Sequence, residues 1–412
     1  MLSATNQLSR SSERRVPAVV IGGELNGLGV CRSLALGGMP IWVVDCKRSK
    51  PALWSRHAHR VLTNSLHGPA FVAFLRDLQR RIGEPPFLAV TDELALLTIS
   101  EHRKELENLY RFRLPAHETV LMLHDKARFH ESACLHGWPV PNGEIVRTLS
   151  DIPGIAALRP PMIIKPADKR HFHAGRAPRL ITAASCADAI AAAEKLLPQV
   201  GELLVQETVE GPDDNIFFCL FYRGRDRETL GMFTGRKLAS TPRGTGSTAF
   251  CTAAADKELE RATIDILDQV NYSGFGGIEY KRDAGSGRFL IIEPTVGRTD
   301  WQEEVATLAG INIPLIAYRH ELDLRPLPDK PVDGRMVWQS SWIERVSRTA
   351  RSIPPRSIVV DGYWRREDPL PACVHYPHDA ACGVKLHLRP WITALHQKFG
   401  AAVGRRLSVG RE

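Results

Sequence analysis

The chain has 412 residues, 43% hydrophobic and 24% charged, enough for two or three domains with substantial cores, and wholesale disorder is excluded. Its formal charge of +8 is scattered over pairs such as Arg80-Arg81 and Arg365-Arg366, without the basic stripe and interleaved aromatics that nucleic acid would require. The eight cysteines form no CxxC pair and no apolar run approaches the ~18 residues of a membrane span, so we expect free thiols and a cytoplasmic protein with no integral membrane segment.

Residues 16–21 read as a buried strand, followed by the glycine-rich turn Gly22-Gly23-Glu24-Leu25-Asn26-Gly27-Leu28-Gly29 into a helix. Strands follow at 41–45, near Val61 and at 87–90, with helices at 69–81 and 94–110 between and after them. Apolar strands alternating with amphipathic helices predict a doubly wound parallel sheet over residues 1–118. A second segment, 119–200, opens with a helix at 126–136, carries a strand at 162–166, and closes with a helix at 187–197 behind the N-cap residue Ser185. In 201–325 the pattern changes to strands at 203–206, 215–222 and 230–238, a helix at 257–270, and strands at 277–282 and 288–293. These predict an antiparallel sheet, and the fold class as a whole is α/β followed by α+β. A proline-rich stretch at 325–331 opens a C-terminal extension, 326–412, which holds Trp338, Trp342, Trp364 and Trp391 but no readable periodicity.

Three features carry chemistry. The stretch 280–289 has the form of a hairpin, and about a tip at Ser286 the residues Glu279 and Glu293 are equidistant. Like charges opposed on adjacent strands destabilise a sheet, and a divalent cation relieves them. The competing reading pairs one glutamate with Arg282, Arg288 or Arg298 and leaves the other facing solvent. Lys165 stands inside an apolar strand, where an unpaired ammonium is costly, so an anionic partner is expected. Lys126 opens a helix and reads either as a surface residue or as a second anion contact. The strand 203–206 runs into Glu207, Val209 and Glu210, a segment able to offer backbone groups to an adenine edge, with Glu210, Asp213 or Asp214 available to ribose hydroxyls.

The order Asp125-Lys126, Lys165-Pro166, Gln206-Glu207, Glu210-Gly211, Glu279 and Glu293-Pro294 resembles the ATP-grasp superfamily, over about residues 16–320. The nearer likeness is to its carboxylate–amine ligases, the group around D-aspartate ligases and carbamoyl-phosphate-synthase-like proteins. That resemblance implies an N-terminal pre-ATP-grasp domain (1–118), then central (119–200) and C-terminal (201–325) ATP-grasp subdomains. It implies ATP with Mg²⁺, or Mn²⁺ in its place, small-molecule carboxylate and amine substrates, and admits a homodimer. Carried across, Lys126 and Lys165 would contact phosphates, Gln206, Glu207 and Val209 the adenine, and Glu210 or Asp214 the ribose. Glu279 and Glu293 would hold the metal, with Thr295 where the family usually has asparagine. Arg298 would hold the transferring phosphate, while Lys237 and Arg243, from a basic strand and loop, would face the acceptor carboxylate. The loop after Lys165 carries Lys169, Arg170, His171 and His173 instead of a glycine-rich flap, and reads equally as a phosphate cover or as a solvated loop.

The implied reaction phosphorylates a carboxylate and passes the acyl group to an amine. The rivals are a nucleotide-binding scaffold without turnover, a different ATP-grasp chemistry, and a nicotinamide-dependent oxidoreductase. The last is suggested by the glycine-rich turn and by Asp45 at the end of the second strand, although the turn does not match GxGxxG.

Overall fold

A computed structural model of the chain describes residues 15–340 and 353–377. Cys382, Trp342, Trp391 and most of the expected C-terminal extension lie outside the described residues.

The N-terminal sheet is parallel, as its alternating pattern predicts. Strands β1 (Ala18–Ile21), β2 (Ile41–Asp45), β3 (Ala58–Leu62) and β4 (Phe87–Val90) are ordered β3-β2-β1-β4. Helices α1 (Leu25–Ala35) and α2 (Gly68–Ile82) connect them. The expected single helix at 94–110 is instead two, α3 (Glu93–Glu101) and α4 (Arg103–Leu106), because His102 leaves helical geometry between them. The short α5 (His117–His124) and α6 (Lys126–His136) lead out of this region, Asp125 capping α6 through Ala127 N and Arg128 N.

A small antiparallel sheet follows, with β5 (Gly143–Val146), β6 (Met162–Pro166), β7 (Ile181–Ala183) and β8 (Leu203–Glu207) in the order β5-β8-β6-β7. Between β6 and β7 lies α7 (Arg170–His173), and between β7 and β8 the helix α8 (Cys186–Val200), whose apolar face closes a core belonging to this sheet alone.

The third sheet has seven strands: β9 (Ile216–Arg223), β10 (Thr229–Thr241), β11 (Ser247–Ala253), β12 (Gly274–Arg282), β13 (Phe289–Val296), β14 (Met336–Gln339) and β15 (Ile358–Asp361). Their order is β13-β12-β9-β10-β11-β14-β15, antiparallel except for the β14–β15 pair. Helix α9 (Lys257–Gln269) connects β11 to β12, while α10 (Glu304–Leu308) and α11 (Ile313–Glu321) connect β13 to β14. The N-terminal and seven-stranded sheets share core: Phe87 of β4 packs edge-on against Phe275 and Tyr318. The small sheet therefore stands apart as a lobe, and the other two form the body opposite it.

Candidate functional site

The parity of the β12–β13 hairpin decides which face each glutamate occupies. Near the turn Arg282 pairs with Phe289 and Tyr280 with Ile291, so the tip falls between Gly285 and Ser286 rather than on Ser286. Continued without interruption, that register would pair Glu279 with Ile292 and put Glu293 on the apolar face, since side chains alternate with period two. A bulge intervenes. Ile292 is the extra residue, Glu279 pairs with Glu293, and the two carboxylates come to share one face. Ile292 and Glu293 are both half-buried, between the buried Ile291 and Pro294.

Both glutamates lie where two cavities meet. One, about 240 Å³, lies against the small sheet; the other, about 550 Å³, opens toward the N-terminal sheet. Their common wall is Lys126, Arg179, Lys237, Gly246, Glu279 and Glu293. Lys237 Nζ stands 2.7 Å from Glu279 Oε2. Around Glu293, Lys169 Nζ is at 2.5 Å, Arg179 Nη2 at 3.8 Å and Lys126 Nζ at 3.9 Å. Burial alone would push the Glu293 carboxyl up, but Lys169, Lys126 and Arg179 together hold it well below the usual carboxylate range. Among the described residues no group of three or more His, Cys, Asp or Glu gathers as a metal cage. Two oxygen donors on one face suit Mg²⁺, which takes one or two carboxylates and completes its shell from water and phosphate.

Lys165 is buried in β6 and donates to Gln206 Oε1 at 3.1 Å, and Gln206 Nε2 lies 3.3 Å from His130 Nδ1. Burial lowers the pKa of Lys165 and brings that of Lys126 down to about 8. Lys165, Gln206, Glu207 and Val209 all line the smaller cavity, together with Met162 and Ile216. The Glu207 carboxylate is already engaged, accepting from Asn142 Nδ2 at 3.1 Å and Arg159 Nη2 at 3.0 Å.

The remaining expected site residues fall elsewhere. Arg298 lines the larger cavity, with Nη2 3.7 Å from Glu93 Oε1. Arg243 is exposed at the β10–β11 turn and lines neither cavity, although its neighbours Gly244–Gly246 do. Glu210 lines neither: its N–H donates to Asp283 Oδ1 and its carbonyl accepts from Ala284 N, tying it to the β12–β13 turn. Asp214 is also outside both cavities, and the adjacent Asp213 accepts from Ser240 N and Gly244 N, anchoring the β10–β11 turn. Thr295 pairs with Gly277 and lines neither cavity; Asp300 and Gln302 line the larger one instead.

Several lining residues escape sequence reasoning. Glu24, Asn26, Asp92 and Glu93 form the N-terminal wall, and Tyr363 and His375 reach the larger cavity from the C-terminal segment, their rings stacked at 3.6 Å. The glycines of the glycine-rich turn serve packing. A Cβ on Gly27 would fall 2.0 Å from Gly22 O, and one on Gly29 would meet Glu304 Cβ at 2.9 Å, so these glycines permit close packing within the turn and against α10. Asp45 accepts from Gly23 N at 2.7 Å and Lys47 N at 3.0 Å, which commits to its own loop the carboxylate a nicotinamide ribose would need.

No protein-family model and no curated protein matches this sequence. Solved structures do. An ADP complex of N5-carboxyaminoimidazole ribonucleotide synthetase matches with a TM-score of 0.60 and 15% identity, over 77% of this chain and 80% of that one. The N5-carboxyaminoimidazole synthetase of Staphylococcus aureus matches with a TM-score of 0.58 and 14% identity, over 76% and 78%. The biotin carboxylase domain of Hydrogenobacter thermophilus 2-oxoglutarate carboxylase, solved with MgADP, ADP and bicarbonate, matches with a TM-score of 0.59 and 15% identity, over 79% and 74%. At this identity the likeness is one of fold.

Proposed function

On the ATP-grasp fold that the chain shares with these enzymes, we propose that it is an ATP-dependent carboxylate–amine ligase. The observation that carries this reading is the bulged hairpin, which sets Glu279 and Glu293 side by side on the wall between two cavities. The smaller cavity suits a nucleotide. Its apolar lining from Met162, Val209 and Ile216 suits a planar base. Since the N–H groups of Glu207 and Thr208 already donate to Asn142 O and Pro161 O, the N–H of Val209 would serve the base edge. Lys126 and Lys165, at its inner end, suit the phosphates. Glu210 and Asp214, outside the cavities, are no longer favoured for the ribose.

Glu279 and Glu293 would hold Mg²⁺, which supplies charge neutralisation at the phosphates. Thr295 follows Glu293 by two residues and so shares its face of β13, but it lines neither cavity. Lys126, Lys237 and Arg298 offset charge on the transferring phosphoryl group. A carboxylate oxygen of the first substrate attacks the γ-phosphorus while the bond to the ADP oxygen breaks. The amine nitrogen then attacks the acyl carbon of the resulting acyl phosphate. The C–O bond breaks, inorganic phosphate leaves, and the nitrogen gives up a proton. The larger cavity, with Arg298 and Lys237 on its wall, would take both acceptor groups. Arg243 has no part in this arrangement.

ADP release measured across paired pools of carboxylates and amines tests the reading. Release that requires one member of each pool supports a ligase. ADP binding with no release in any pool would instead favour a nucleotide-binding scaffold.

A further inference from the structure

The basic loop after β6 is not merely solvated. Lys169 lies four residues beyond Lys165, its side chain only 11% exposed, and its ammonium sits between two carboxylates from separate parts of the fold. Glu293 Oε1 is 2.5 Å away on the β13 bulge, and Glu93 Oε1 is 3.1 Å away at the start of α3. The loop that carries Lys169 is tied down by its own backbone: Lys126 N donates to Ala167 O, Ala167 N to Glu202 O, and Arg170 N to Asp168 Oδ1. The other cations near Glu293, Lys126 and Arg179, stand more than 1 Å farther off.

We propose that Lys169 is a resident counter-ion that competes with Mg²⁺ for Glu293 and so sets the Mg²⁺ concentration at which the nucleotide binds. The proposal rests on the ATP reading above. An ion seated about 2.0–2.1 Å from Glu293 Oε1 would share that oxygen with the ammonium, and two cations so close repel strongly in a site shielded from water. Metal entry therefore requires Lys169 to give up Glu293. Glu93 is its second partner, already in contact, and receives the ammonium when Glu293 is taken. Burial works against the Lys169 charge, yet Glu293 and Glu93 together raise its pKa above the ordinary lysine value, so the resident group is a cation.

The two partners predict opposite effects. Removing the competitor in Lys169→Met should lower the Mg²⁺ concentration for half-maximal ADP binding by roughly fivefold or more, within the usual range of coupling between two ligands. Removing the alternative partner in Glu93→Gln leaves the ammonium with Glu293 alone, and should raise that concentration. In the double variant the Glu93→Gln effect should vanish, although Glu93 also contacts Arg298 and His124.

Calorimetric titration of ADP into the full chain over a Mg²⁺ series measures all four proteins, with circular dichroism to verify folding. Shifts in opposite directions that collapse in the double variant support the proposal. If Lys169→Met leaves the Mg²⁺ requirement unchanged, or weakens ADP binding at saturating Mg²⁺, Lys169 is a phosphate ligand or a structural cation and the proposal is wrong. Wild-type protein that binds no ADP at any Mg²⁺ concentration would overturn the ATP reading itself, a result separable from either variant's behaviour.

Discussion

At the scale of single residues the site is a set of cations whose partners are fixed before any ligand arrives, and His124 lies beneath them. It is buried at the end of α5, with Nδ1 3.4 Å from Glu93 Oε1 and Nε2 without a hydrogen-bond partner. Burial, with the adjacent Lys169, brings its pKa down from 6.5 to about 4. Between those values the unfolded chain binds the proton and the folded chain does not, so this residue contributes stability above pH 6.5 that is lost as pH falls toward 4. His124→Asn should flatten the acid side of the stability profile, narrowing its fall by up to roughly 3 kcal/mol. Denaturant melts at pH 7, 5.5 and 4.5 measure this, and parallel profiles for both proteins would contradict it. Lys165 was legible in the sequence as a lysine that demands a partner within an apolar strand, although the partner it donates to is the neutral Gln206 amide oxygen and not the anion expected. Lys169 was only half legible: a charge in a loop reads as solvated until the fold brings Glu93 and Glu293 to it. The acids expected at the ribose were less legible for a related reason. Strand-end carboxylates such as Asp213 serve backbone N–H groups of a neighbouring turn, and sequence alone does not reveal which turn is near.

At the scale of elements the decisive feature is the extra residue in β13. The sequence made the pairing of Glu279 with Glu293 readable through their spacing about a turn, but the turn centre it implied was half a residue off. The bulge at Ile292 compensates, and nothing in the composition of Leu290-Ile291-Ile292-Glu293 marks it. Deleting Ile292 should restore an unbroken ladder in which Glu293 follows Ile291 directly and still faces Glu279, so Mg²⁺-dependent ADP binding should survive the loss of the bulge. Loss of that binding in a folded deletion variant would contradict this register. Long amphipathic elements, α2 and α9 among them, were readable from their periodicity. Shorter strands such as β7 and β11 were not, because three to seven residues rich in Ser, Thr and Ala give too weak a pattern to separate from loop.

At the scale of the whole molecule, residues 353–377 prove to be part of the body. Strands β14 and β15 extend the seven-stranded sheet, and Arg32 of α1 donates to Gly362 O, Tyr363 O and Asp368. Asp368 also accepts from Ser55 Oγ and Arg56 N and is almost wholly buried. Asp368→Ala should therefore cost up to about 3–5 kcal/mol, since it takes the nearest carboxylate from the buried Arg32, leaving it Glu304 at 3.6 Å, and removes the acceptor of Ser55 Oγ and Arg56 N. A loss below about 1 kcal/mol in chemical unfolding would mean that the clasp is not what holds the segment. This connection was invisible in the sequence because its partners are more than 300 residues apart. The whole account turns on the wall between the two cavities, and one measurement tests it most directly: calorimetric titration of ADP, with and without Mg²⁺, into wild-type protein and Glu293→Gln. Binding that requires Mg²⁺ in the wild type and is lost in the folded variant is the predicted result; equal ADP binding by both proteins, indifferent to Mg²⁺, would contradict it.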